Sequence, residues 1–307
     1  MNHAAGDGAT GRDGVKTWVM TTRRALLTAA LAAPLAAGCA DAVRAFIYHP
    51  PSRGPDLTLP GGPQRISVTT EDGLTLLAAF HPPAPGKPVI LFFHGNASDL
   101  MSVSSTLASS REILLDTGVG LLLAEYRGYF GNPGKPSEAG LAADARAFFT
   151  AAGEAAGGQD RVIIAGHSLG GGVAMGLAAN RACRGVTTIA TFTATTEAAP
   201  WIVRPIVPDR FANIDRVASL RAPLLIAHGD ADTVIPFAMG EALRDRGERL
   251  AKPGAFLHMP GIGHSPAADR MRRILASSIA ALDAGRAGAF TDGYSGAAIG
   301  FGPWRVD

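Results

Sequence analysis

The sequence of 307 residues predicts an α/β fold, with a mostly parallel central sheet, an antiparallel N-terminal hairpin and helices on both faces. Three observations carry this. Short, continuously apolar runs recur, among them Val89–Phe93, Val119–Ala124 and Arg161–Ala165, as expected of parallel strands covered on both faces. Stretches of helical character separate them. Ahead of the first run, Arg65–Thr70 and Leu74–His81 flank Glu71-Asp72-Gly73, and Asp-Gly between two strands is a strong hairpin signal.

Composition narrows the class. Hydrophobic residues make up 47% of the chain and charged ones 18%, which suits a folded core. A formal net charge of +2 makes no electrostatic case for a nucleic-acid partner. The two cysteines, Cys39 and Cys183, have no zinc or redox spacing, and the eight histidines show no paired ligand spacing. Neither a metal nor another cofactor is therefore expected.

The N-terminus reads as an export signal over residues 1–39, with Met20 as an alternative start. Arg23-Arg24 precede the 13-residue apolar run Ala25–Ala37, which is shorter than the roughly 20 residues that span a bilayer. Paired arginines also fit a twin-arginine signal. The run ends Ala36-Ala37-Gly38-Cys39, which resembles a bacterial lipobox with alanine where leucine is usual. Lipidated Cys39 would attach the protein to a membrane facing the periplasm; a cleaved signal would leave it periplasmic or secreted.

The remaining elements follow in order. Residues 40–64, rich in Pro and Gly, read as an irregular linker arm, and 65–284 as the domain. After Val89–Phe93 comes His94-Gly95-Asn96-Ala97 and a helix around Val103–Leu115. Val119–Ala124 ends in Glu125-Tyr126-Arg127-Gly128-Tyr129. A helix capped by Ser137 is expected through Phe149. The Arg161–Ala165 strand runs into Gly166-His167-Ser168-Leu169-Gly170, and a helix follows to about Arg181. Gly185–Phe192 and Pro223–Ala227 are further strands; the proline-punctuated 193–222 between them is the place for a small cap. Ala255–Met259 reads as the last strand and Ser265–Ala284 as an amphipathic helix. The Gly-rich tail 285–307 receives no assignment. No internal repeat occurs.

Gly-X-Ser-X-Gly between a strand and a helix is the pattern of a nucleophile elbow, in which glycines two before and two after the serine relieve a strained turn. A serine hydroxyl needs a base within hydrogen-bond reach, and the base needs a carboxylate to fix its tautomer. Asp232, in His228-Gly229-Asp230-Ala231-Asp232, follows one strand, and His264, in Gly261-Ile262-Gly263-His264, follows another. Both fall on loops at the carboxyl ends of strands, where open α/β sheets bind ligands.

With these motifs the chain resembles the α/β-hydrolase superfamily, and within it esterase and lipase-like serine hydrolases with a short cap. The resemblance covers roughly Val89 to Leu282 and rests on His-Gly-Asn, Tyr-Arg-Gly-Tyr, Gly-His-Ser-Leu-Gly-Gly, His-Gly-x-x-Asp-x-x-x-Pro and Gly-x-x-His. It implies an α/β-hydrolase fold with Ser168 as nucleophile, Asp232 as acid and His264 as base. It implies an oxyanion hole from the N–H groups of Leu169 and Asn96, with Ala97 as the alternative to Asn96. The substrate would be a small-molecule or lipid ester. Where relatives continue with Gly-x-Ser-x-Gly, this chain has Phe130-Gly131-Asn132-Pro133-Gly134, a loop that often borders the acyl pocket.

Other residues have plainer readings. Asp230 is the competing acid but reads as a turn former. Asp209 and Asp215 read as solvated cap residues. His258 reads as a packed strand histidine, His94 and His228 as structural groups at strand ends, His167 as a pocket-shaping neighbour, and Arg127 as a loop-ordering ion pair. Cys183 reads as a small apolar residue late in a helix. Peptide or amide hydrolysis, and a non-catalytic binding protein on the same fold, are the alternatives in function; Ser168 at the elbow argues against a dehalogenase, which would carry aspartate there.

Overall fold

A computed structural model describes residues 40–45, 47–51, 58–59, 62–108, 117–198, 202 and 204–304. The export-signal and lipidation expectations for residues 1–39 lie outside the described residues.

Among the described residues, nine strands form one sheet. They are β1 (Gln64–Thr69), β2 (Thr75–His81), β3 (Val89–Phe93), β4 (Gly120–Ala124), β5 (Val162–His167), β6 (Gly185–Ile189), β7 (Leu224–Gly229), β8 (Gly254–Met259) and β9 (Ile299–Phe301). Their spatial order is β1-β2-β4-β3-β5-β6-β7-β8-β9. Pairing is parallel from β4 through β8 and antiparallel at β1–β2, β2–β4 and β8–β9. The chain goes from β3 outward to β4, then returns to β5 on the other side of β3. That reversal opens a crevice at the carboxyl ends of β3 and β5, where open sheets of this kind bind ligands.

Among the described residues, five helices of eight or more residues cover the two faces: α1 (Leu100–Ala108), α2 (Glu138–Ala156), α3 (Leu169–Ala178), α4 (Phe237–Arg249) and α5 (Ala268–Ala284). Alternate residues of β3 divide between two buried clusters. Leu91 and Phe93 join Phe148 of α2, Val173 of α3 and Leu243 of α4. Ile90 and Phe92 join Val103 of α1 and Leu275 of α5. Full burial of β3, β4 and β5 explains why these strands read as unbroken apolar runs.

Several elements differ from the sequence reading. Helix α1 begins three residues earlier than expected, because Asp99 Oδ1 accepts the Ser102 N–H at 2.8 Å and caps it. The Ser137 cap is present, with its Oγ accepting the Gly140 N–H, but α2 runs on to Ala156 and stops at left-handed Gly157. Helix α4 had no counterpart in the reading; its polar, Arg-rich sequence buries only a narrow stripe, Gly240, Leu243 and Gly247. Helix α3 ends at Ala178, so Cys183 lies beyond it, half-buried, with its thiol directed to the Gly185 carbonyl. Nor is β8 the last strand. The tail buries Phe290, Phe301 and Trp304 and adds β9 beside β8. Gly254 makes that possible, since a Cβ there would lie 2.1 Å from the Phe301 ring.

The arm also departs from expectation. Residues 40–45 are helical, and the arm lies on the domain near the sheet's ligand edge. Arg44 donates to both carboxylate oxygens of Asp209, at 3.0 and 3.1 Å, and Tyr48 Oη donates to Asp209 Oδ2 at 3.0 Å. Asp209 is therefore 2% exposed and not a solvated cap residue. Asp215 is exposed as read.

Candidate active site

Strand β5 delivers Ser168 at its end, in a conformation with φ 53° and ψ −116°. Side chains rarely occupy this region, which costs on the order of 1–3 kcal/mol. The surrounding glycines show why the turn forms. A Cβ on Gly166 would lie 2.2 Å from the Gly170 carbonyl carbon, and one on Gly170 would lie 2.0 Å from the Phe93 oxygen. A Cβ on Gly171 would lie 1.9 Å from Thr191 Oγ1. Together these contacts let the start of α3 press against the end of β3. On the far side of the serine, a Cβ on Gly95 would meet His167 Nδ1 at 2.8 Å. The His-Gly-Asn loop thus passes directly beside Ser168.

Ser168, His264 and Asp232 converge. Ser168 Oγ lies 3.0 Å from His264 Nε2, and His264 Nδ1 lies 2.9 Å from Asp232 Oδ2. A proton on Nδ1 donates to the carboxylate and leaves Nε2 free to accept the serine proton. Asp232 Oδ1 accepts the Val234 and Ile235 N–H groups, each at 2.8 Å. Burial works against the charged carboxylate, but its bonds from His264, Ile235 and Val234 hold the Asp232 pKa below the usual value. Asp230 does none of this. It accepts the Gly261 N–H at 2.7 Å and pairs with His258 at 2.9 Å, as a turn former would. His258 is on β8, yet its side chain is 43% exposed and not packed as the sequence suggested.

The first residue of α3, Leu169, has an N–H with no acceptor in its own helix. Asn96 and Ala97 lie in the turn after β3. Two cavities meet at Ser168. One, of about 310 Å³, runs between the His-Gly-Asn loop, α1 and the His264 loop, and includes Val103, His167 and Ser265. The other, of about 370 Å³, includes Asn96, Leu169, Phe192 and Ile235, with Val207 from the 193–222 excursion. Neither is lined by residues 130–134. That loop departs from the expected pocket position because it turns inward. Phe130 is buried in the core, and Asn132 accepts the Leu77 N–H and donates to the carbonyls of Glu125 and Tyr126.

The remaining polar residues support the frame. His94 is buried with both ring nitrogens against acceptors, Nε2 at 2.7 Å from Glu125 Oε1 and Nδ1 at 2.8 Å from the Gly95 carbonyl. Two acceptors call for two N–H groups, an arrangement that favours the charged ring. Burial alone would lower its pKa; the Glu125 carboxylate overrides this and raises it. Glu125 also accepts the Leu100 and Tyr126 N–H groups, tying the loop to α1 and β4. The sequence offered no marker for Glu125 beyond its place after a strand. Arg127 pairs with buried Asp144 and with Asp72, joining α2 to the β1–β2 hairpin. His228 donates Nε2–H to the Ile235 carbonyl, and burial lowers its pKa. His167 is held neutral by burial, its pKa pushed down to about 4, and donates to the main-chain carbonyl of His264 at 2.9 Å. It therefore holds the loop that carries His264. Among the described residues, no cluster of three His, Cys, Asp or Glu side chains could hold a metal ion.

No family model matches the chain. It is 37% identical over 262 residues to an uncharacterized protein of Mycobacterium tuberculosis strain H37Rv, covering 79% of this chain and 89% of that protein. It is 34% identical over 181 residues to alpha/beta hydrolase domain-containing protein 17B of Homo sapiens, covering 58% of this chain and 61% of that protein. Among solved structures, an esterase of Pyrococcus furiosus matches with a TM-score of 0.59 and 16% identity, over 76% of this chain and 96% of that one. A puromycin-hydrolyzing peptidase of Mycobacterium tuberculosis matches with a TM-score of 0.59 and 16% identity, over 71% of this chain and 38% of that one. At this identity the two structures share the fold alone.

Proposed function

Because the chain has the α/β-hydrolase fold, we propose that it is a serine hydrolase cleaving carboxylic esters or thioesters through an acyl-enzyme on Ser168. The observation that carries this reading is the relay from Ser168 Oγ to His264 Nε2, 3.0 Å, and from His264 Nδ1 to Asp232, 2.9 Å. Ser168 Oγ attacks the carbonyl carbon while its proton passes to His264 Nε2. The carbonyl oxygen becomes an oxyanion held by the N–H groups of Leu169 and Asn96. Collapse expels the leaving group, which takes the proton from His264. Water then repeats the sequence on the acyl-enzyme and frees the acid. Asp232 stays ionised and supports the imidazolium that forms twice per turnover.

The test is Ser168→Ala on p-nitrophenyl butyrate, with fluorophosphonate labelling of the wild type. A loss of about 10⁶ in kcat is expected of a missing nucleophile, and labelling should vanish with it. Undiminished hydrolysis by the variant, or a wild type that takes no label, defeats the reading and revives the non-catalytic binding protein. Faster turnover of a matched p-nitroanilide than of the ester would move the substrate to amides. Export belongs to the same proposal, with Cys39 lipidated and the enzyme held at a membrane. Among the described residues no helix is long and apolar enough to cross one. Cys39→Ala should shift the protein from the membrane to the soluble fraction; an unchanged distribution counts against the anchor.

A further inference from the structure

The side chain of Asn96 has a partnership that oxyanion chemistry does not require. Its Oδ1 accepts the backbone N–H of His49 at 2.9 Å, and its Nδ2 donates to the backbone carbonyl of Ile47 at 2.5 Å. The amide thus reads the arm as a neighbouring strand would, one donor and one acceptor two residues apart. Tyr129 Oη donates to the same Oδ1 at 2.8 Å, which fixes the amide from the domain side. The arm is fastened again by Arg44 and Tyr48 on Asp209, so it bridges the His-Gly-Asn loop and the 193–222 excursion. Between those two attachments, Ile47 lines the 370 Å³ cavity together with Ser168 and Leu169.

We propose that the arm is a working part of the active site: Ile47 walls the acyl pocket, and the Ile47–His49 backbone, through the Asn96 side chain, positions the loop that supplies the second oxyanion donor. This rests on the serine-esterase reading and deepens it. His264 borders both cavities, and Ser265 and Pro266 border the 310 Å³ one. The acyl group takes the 370 Å³ cavity, where Ile47, Leu169, Phe192, Val207, Val234 and Ile235 supply an apolar wall beside Asn96, Ser168, Thr195 and His264. The 310 Å³ cavity, with Ser98, Ser102, Thr106, His167 and Ser265, is the more polar and takes the leaving group. The substrate class is an ester or thioester of a fatty acid, with the polar half of the molecule in the 310 Å³ cavity. Asn96 acts twice, once through its backbone N–H on the substrate and once through its amide as a positioning group.

The two halves are tested separately in the full chain. Ile47→Trp should lower the octanoate-to-acetate ratio of kcat/KM for p-nitrophenyl esters at least tenfold; an unchanged ratio overturns the acyl wall. Asn96→Ala keeps the backbone N–H and removes the clamp. It should lower kcat ten- to a hundredfold with KM within threefold, and kcat within twofold of wild type overturns the positioning role. Arg44→Ala loosens the arm at its other end without touching the loop. It should lower kcat in the same direction with KM unmoved, and no effect on kcat again overturns the role. The seating has a readout that needs no turnover. Hydrogen exchange at the His49 amide should accelerate at least tenfold in Asn96→Ala, and unaltered protection means the clamp does not hold the arm. Failure of the esterase reading would appear elsewhere, as ester hydrolysis that survives Ser168→Ala.

Discussion

Asp232→Asn isolates the tautomer on which the relay depends. The Asp232 carboxylate is fully buried and every one of its neighbours is a donor: His264 Nδ1 at 2.9 Å on Oδ2, and the Val234 and Ile235 N–H groups at 2.8 Å on Oδ1. An asparagine there has one oxygen for two faces. Turning its NH₂ toward the loop would set it against two N–H groups, leaving three buried donors unpaired at about 1–3 kcal/mol each. Turning it toward His264 costs less, but the imidazole must then accept at Nδ1 and carry its proton on Nε2. That proton faces Ser168 Oγ, and the base is lost with the fold intact. The same substitution in a serine protease triad lowers kcat by about 10⁴, which is about 5.5 kcal/mol in the barrier. A loss of that order, with wild-type thermal unfolding, is expected for kcat on p-nitrophenyl butyrate. Asp230→Asn is the control, since its carboxylate serves only Gly261 and His258. If Asp232→Asn costs less than tenfold, or Asp230→Asn costs as much, the assignment of the acid is wrong.

Glu125→Gln breaks the buried pair with His94 and should lower stability by about 3 kcal/mol, measured by denaturant unfolding. Glu125 raises the His94 pKa, so the pair stabilises fully below about pH 6.5, the unfolded value, and the penalty should shrink as pH rises through the folded one. Gly170→Ala sets a methyl 2.0 Å from the Phe93 carbonyl oxygen, backbone against backbone; loss of more than about 3 kcal/mol or of soluble protein is expected, and wild-type unfolding would contradict the packing. His167→Gln should reduce kcat about tenfold by loosening the His264 loop, an effect of the order of one hydrogen bond. It should leave the shape of the pH–rate profile above about pH 5 unmoved, because burial keeps the ring neutral down to about 4; a shifted acid limb would show that His167 titrates in the working range.

What could be read in the sequence was what local chemistry dictates. The strained turn at Ser168 requires glycines on both sides, and the glycines are visible as letters. The parallel strands are buried on both faces, so their residues announce themselves as apolar runs. Asp232 and His264 each follow such a run, and chain order alone brought forward the pair that meets Ser168 in the structure. Elements held by long-range partners left weaker marks. Helix α4 buries a three-residue stripe, and its charge hid it. The short β9 gains its place from Phe301 fitting over Gly254, which no window of nearby residues contains. Asp209 looked solvated because its partners, Arg44 and Tyr48, lie 165 and 161 residues away. The misjudged loop 130–134 had the same cause, since Asn132 is spent on the backbones of β2 and of Glu125-Tyr126 after β4 and cannot also line a pocket.

That division says something about where specificity resides in this chain. The proposed reacting groups, Ser168, Asp232 and His264, follow β5, β7 and β8, whose ends are fixed by sheet pairing, and nothing in their geometry distinguishes one acyl group from another. Part of the wall of the 370 Å³ cavity comes instead from segments that the sheet does not hold: Thr195 and Val207 of the 193–222 excursion and Ile47 of the arm before β1. Such segments are stable only where they find partners, and here the partners are few and identifiable. Asp209 is the junction, a carboxylate on the excursion that is buried only because Arg44 and Tyr48 of the arm neutralise and cover it. Removing either side leaves a buried charge unpaired or an arm without its latch, so the two walls stand or fall together. A substitution at Asp209, some distance from Ser168 in the chain and absent from both cavity linings, is therefore expected to change chain-length preference before it changes the rate on a short acetate ester. A chain-length profile of kcat/KM for Asp209→Asn decides this: a uniform loss across all lengths would mean that the two walls are independent of their shared carboxylate.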